Sequence, residues 1–71
     1  MIDWKDLIKF DQIVLEKNGK HYTIKNIESH DEKLWYRHIN DKGLYLDYAL
    51  KKTLKILNEL DEQGWTIINY A

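Results

Sequence analysis

Cysteine and proline are absent from this chain of 71 residues, and glycine occurs only three times. Without cysteine there is neither a disulfide framework nor a thiolate zinc site, so the usual staples of a small scaffold are excluded. Without proline, a Ser/Gly tract or an internal repeat, nothing marks a boundary, and the reading is one domain over residues 1–71. The scarcity of glycine leaves no phosphate-cradling loop and no nucleophile elbow. No stretch approaches the roughly 18 apolar residues of a membrane span, and the N-terminus lacks an apolar run of signal-peptide length. The expected location is therefore the cytoplasm.

An excess of one charge is missing too. Eleven basic against twelve acidic residues give a formal charge of −1, which sets up no domain-wide positive field for phosphate backbones. Nucleic acid is not the default partner.

What is present is the material of a small folded domain. Apolar residues make up 44% of the chain and charged residues 32%, a globular rather than a disordered composition. Three Trp, five Tyr and one Phe are more large rings than a core of this size needs, so some must lie at the surface or in an interface. A homodimer or a complex with a partner protein is expected ahead of a bare monomer. Every basic residue but Arg37 is Lys, and Ile and Asn are abundant, as in a low-GC bacterium or its phage.

Local signals predict the elements. Asp3 as N-cap with Asp6 three residues later, and Ile2 placed to touch Leu7, predict a short N-terminal helix that buries Trp4, Leu7 and Ile8. Asn18-Gly19 predicts a two-residue type I′ hairpin, because both positions need φ > 0. Its register sets Ile13 against Ile24 and Leu15 against Tyr22 on the core side, with Val14 against Thr23 and Glu16 against His21 on the other. Ile27 breaks the alternation, by a bulge near Asn26 or the end of the strand. Residues 29–39 read two ways. Ser29 and Glu32 would make a capping box for a helix, while Leu34 to Ile39 is aromatic and β-prone and Asn40-Asp41-Lys42-Gly43 suits a hairpin turn; strand is preferred. From about Asp47, taken as N-cap, to Gln63, the residues Ala49, Leu50, Thr53, Leu54, Ile56, Leu57 and Leu60 form a helical apolar stripe that ends at Gly64 as the C′ residue. Trp65, Ile67 and Ile68 lead a closing strand. The expected fold is α+β: an antiparallel meander of three to four strands, one long C-terminal helix packed on it, a closing strand, and the short N-terminal helix.

No constellation predicts catalysis, a cofactor or a metal. His21, His30 and His38 stand at no metal-ligand spacing, and Ser29, Thr23, Thr53 and Thr66 have no activating base nearby in sequence. The three histidines read as surface or cross-strand residues, with His30-Asp31-Glu32 the place to look for chemistry. Two surfaces instead predict binding. Trp35, Tyr36 and Arg37 cluster the residue types that most often anchor interfaces. Lys51, Lys52 and Lys55 stand toward the positive end of the helix dipole, with Glu59, Asp61 and Glu62 toward the negative end, an order that costs stability and suits a charge-segregated docking face.

Two resemblances follow from these stretches. Leu57 through Ile68, with its Gln63-Gly64-Trp65 exit, resembles the end of small bacterial and phage domains of unknown function in which a helix closes with Gly-Trp and enters a strand. Lys42-Gly43-Leu44-Tyr45-Leu46-Asp47 before a helix, with Tyr36-x-His38 in the preceding strand, is similar to the PC4-like single-stranded DNA-binding domains. That likeness implies dimerisation and nucleic-acid contacts from Lys20, Tyr22, Lys25, Trp35 and Arg37. The chain departs from that pattern in its near-neutral charge and in having a strand after the helix. The function expected from the sequence is a non-enzymatic protein–protein interaction module, an accessory or inhibitory protein of a phage or mobile element; the alternative is a single-stranded nucleic-acid binder.

Overall fold

The structure, a computed structural model, describes residues 11–27 and 35–70. The expected N-terminal helix and the Ser29/Glu32 capping box lie outside the described residues. The elements are β1 (Gln12–Lys17), β2 (Lys20–Ile27), β3 (Trp35–Ile39), β4 (Tyr45–Ala49), α1 (Leu50–Glu62) and β5 (Thr66–Tyr70). They form a five-stranded sheet in the order β4-β3-β2-β1-β5, antiparallel at every pairing. This is the α+β meander with a covering helix and a closing strand.

The first hairpin forms as its turn residues dictate. Asn18 at φ 52° and Gly19 at φ 79° take the two left-handed positions, and the Gly19 amide donates to Glu16 Oε1 at 3.1 Å. Ile13 pairs with Ile24 and Leu15 with Tyr22. Ile13, Leu15 and Ile24 are buried, and Tyr22 packs against them. Ile27 is the last residue of β2 and pairs regularly with Trp35. The break in alternation is therefore the end of the core-facing pattern, without a bulge; Ile27 faces the other side of the sheet. The irregularity lies instead between β1 and β5, at Val14/Leu15.

Residues 35–39 are strand, as the aromatic pattern favours. The turn that follows is a type I turn closed by a left-handed glycine: the Gly43 amide donates to the Asn40 carbonyl at 3.1 Å, the Asn40 amide to the Leu44 carbonyl at 2.9 Å, and Gly43 has φ 82°. Asn40 Oδ1 accepts the amides of Lys42 and Leu44 at 2.9 and 3.0 Å, a side-chain bond that replaces water on an otherwise open turn.

Asp47 is not the helix N-cap. It sits mid-strand opposite Arg37, and β4 runs directly into the helix through Ala49, an extended N-cap with no side-chain hydrogen bond. A carboxylate that can reach a cross-strand guanidinium serves the sheet rather than the helix end, and the N-cap lies two residues later than expected, at Ala49. The helix C-terminus follows expectation. Gly64, at φ 94°, donates to the Asp61 carbonyl at 3.1 Å and Trp65 to the Leu60 carbonyl at 3.0 Å, the paired bonds of a Schellman motif. No basic residue occupies the last turn of α1. Lys17, at the end of β1, supplies the cation by donating from Nζ to the Gln63 carbonyl.

β4 and β5 run in the same direction at opposite edges of the sheet, so α1 must return across one face between them. It starts at the Ala49 end of β4 and finishes beside Lys17. This diagonal buries Thr53, Leu57 and Leu60 against Leu15, Ile24, Tyr36 and His38. Each fully buried aliphatic side chain, such as Leu15 or Leu57, contributes about 1.5–3 kcal/mol. The same diagonal leaves the hairpin corner around Leu44 and Leu46 uncovered.

Candidate partner-binding edge

The corner begins with β3. Tyr36 and His38 point under the helix, whereas Trp35, Arg37 and Ile39 alternate to the far face of the sheet. His38 is 3% exposed. Its Nδ1 lies 2.9 Å from the Tyr22 hydroxyl and its Nε2 lies 2.8 Å from Thr53 Oγ1. A neutral imidazole has one donor and one acceptor nitrogen, so the chain of bonds runs in one direction. The phenol is the stronger acid of the two hydroxyls, so Tyr22 donates to Nδ1 and Nε2–H donates to Thr53. The Tyr48 ring meets the imidazole edge-on at 4.9 Å, and the Tyr22 ring meets Trp65 at 6.1 Å. Burial lowers the His38 pKa to about 4, with Asp47 pulling weakly the other way. Burial, and secondarily Tyr48, pushes Tyr22 up to about 12. At neutral pH the group is an uncharged polar pin with both imidazole nitrogens occupied.

Above this pin lies an open cleft of about 410 Å³ lined by Tyr22, His38, Asn40, Leu44, Tyr45, Leu46 and Tyr48. Leu44, Tyr45 and Leu46 are 67%, 57% and 65% exposed. Three consecutive large apolar residues at the margin of an edge strand are unusual, since edges are ordinarily guarded by Lys, Pro or a bulge. β4 (Tyr45–Ala49) has none of these.

On the far face, Arg37 Nε and a terminal guanidinium nitrogen donate to the two Asp47 carboxylate oxygens at 2.9 and 3.2 Å. The guanidinium also stands 4.2 Å over the Tyr45 ring. The hydrogen bond between them is the largest cause holding the Arg37 pKa up and the Asp47 pKa down. Both charges are spent locally.

The residues singled out from sequence therefore separate. Tyr36 is 1% exposed, which removes it from any surface patch: its register partner Asn26 and neighbour Tyr48 place it under α1. Trp35, partly buried, and Arg37 share the far face. Lys51, Lys52 and Lys55 are exposed on α1, on the opposite side of the molecule, so the two candidate patches do not form one surface. His21 is exposed on β2, and His30 lies outside the described residues. Among the described residues no three His, Cys, Asp or Glu side chains converge, and no helix is long and apolar enough to cross a membrane. The Leu44–Leu46 corner was not among the residues picked from sequence. The available signal was three large apolar residues directly after a turn glycine, where a strand guarded at its edge would carry a charge. No protein-family profile matches the chain, and no curated protein or solved structure does either.

Proposed function

We propose that this chain is a non-enzymatic protein–protein interaction module that engages its partner along β4, with an accessory or inhibitory role. The observation that supports this reading most is the exposure of Leu44, Tyr45 and Leu46 beside a cleft floored by His38 and Tyr48. An extended segment laid along β4 gains main-chain hydrogen bonds from the edge, and an apolar side chain of that segment gains the cleft. His38 and Thr53 are spent on structure: both nitrogens of His38 are bonded and Thr53 is fully buried.

A photo-crosslinking side chain placed at Leu46, at Trp35 or at Lys52 tests this in the cells that make the protein. Protein adducts are expected from position 46. Adducts from position 52 alone would move the interface to the helix, and adducts from position 35 alone to the far face. No protein adduct from any of the three positions would refute the reading.

A further inference from the structure

We infer that the occupant of the β4 edge is a second copy of this chain, paired antiparallel through its own β4 about a twofold axis at Leu46, with Leu44 of each copy seated against Tyr48 at the other's cleft. This rests on the interaction reading above and names its partner.

The hydrogen-bond pattern carries the first step. The Asn40 amide donates to the Leu44 carbonyl, so Asn40 and Leu44 are a bonded pair, and the bonded pairs of an antiparallel ladder recur at every second residue. Leu44 therefore spends its carbonyl on the Asn40 amide and its own amide on Asn40 Oδ1, and Leu46 and Tyr48 spend their backbone groups on β3. Tyr45 and Asp47 aim theirs at the outer edge, where no described strand pairs. These two residues are placed symmetrically about Leu46. A strand with that arrangement is complementary to itself: Tyr45 of one copy meets Asp47 of the other, twice, and all their outward amides and carbonyls are satisfied.

Side chains agree with this register. On the helix side of the sheet it sets Leu46 against its own copy and Leu44 opposite Tyr48 of the other copy. The two most exposed leucines of the corner, at 67% and 65%, thus cover each other and the clefts, which a single copy leaves open. Charge agrees as well. Asp47 is the one charged residue of β4, and repulsion between two copies is offset because each Asp47 is already held by its own Arg37. The opposite edge is less suited, since β5 is irregular where it pairs with β1 and such irregularities turn an edge away from pairing. A contact confined to one short edge strand fits a weak, reversible dimer.

Sedimentation of the full chain over a micromolar-to-millimolar series is expected to show a monomer–dimer equilibrium. Leu46→Lys should shift it to monomer with an unchanged amide spectrum. The absence of cysteine makes a register test clean. In Leu46→Cys the two thiols face each other in a non-bonded pair, with Cβ atoms about 4.5–5.5 Å apart, close to disulfide reach. In Leu44→Cys they stand four residues out of register, about 13 Å apart. Mild oxidation should crosslink the first variant and spare the second. A monomer throughout the series, or crosslinking of Leu44→Cys as fast as Leu46→Cys, would overturn the inference. If the purified chain is monomeric but position 46 still captures other proteins in cells, the second copy is refuted and the interaction reading stands. If neither self-association nor capture occurs, both are refuted.

Discussion

His38 Nε2 lies 2.8 Å from Thr53 Oγ1, so an interior strand of the sheet and the first turns of the covering helix are joined by one hydrogen bond inside the core. Through Nδ1 the same ring reaches Tyr22 on the neighbouring strand. A buried network of this kind stabilises only while every member is paired and uncharged, and this makes it testable.

The first test is pH. Burial depresses His38 from its ordinary 6.5 to about 4 in the folded chain, so between those values the unfolded chain binds the additional proton. Stability from this site is complete above pH 6.5 and falls as pH drops toward 4, by roughly 3 kcal/mol in total. A titration of the imidazole resonances should show His38 still neutral at pH 5. A His38 midpoint near 6.5 would contradict the buried pin.

Thr53→Val keeps the shape of the side chain but leaves the His38 N–H unpaired in the core. A loss of about 1–3 kcal/mol in denaturant unfolding is expected. Tyr22→Phe should cost less, because that residue is partly exposed. In the double variant the two effects should fall short of their sum, since both act through one ring.

Gly64→Ala isolates backbone conformation. A Cβ at Gly64 would meet no atom closer than Lys17 Cε at 3.9 Å, so crowding is not the obstacle. The left-handed φ of 94° is, and a destabilisation of roughly 1–2 kcal/mol follows. Chemical denaturation should show it with an unchanged m-value.

Single-stranded DNA is expected to bind weakly at low salt and to show a shallow dependence of log K on log salt. Arg37 is neutralised by Asp47, and Tyr22 is partly buried and bonded to His38, so two of the contacts implied by the PC4-like resemblance are occupied. A steep negative slope in a salt-titrated binding assay would show several phosphates being neutralised and would favour the nucleic-acid reading instead.

Residues close in sequence carried much of the fold. Asn18-Gly19 set a turn of known twist, and with it the register of Ile13, Leu15, Tyr22 and Ile24. The stripe from Leu50 to Leu60 and the Gly64-Trp65 exit placed the helix and its end. In each case the interacting groups lie within a few residues of one another, so composition and spacing are enough.

Asp47 shows where that reasoning stops. By local preference it caps a helix; in the structure it belongs to a strand, because Arg37, ten residues away, offers a bidentate partner once β3 and β4 pair. His38 and Tyr36 passed for surface residues for the same reason, since which face of β3 is buried depends on the side of the sheet that α1 crosses. The sequence by itself determined the elements, the first hairpin and the helix stop, all governed by short-range sterics and periodicity. Only the tertiary structure decided that the Tyr22–His38–Thr53 pin lies inside and that Leu44 and Leu46 stay outside. Those outcomes follow from the diagonal of one helix across five strands, a long-range packing choice that no local pattern encodes.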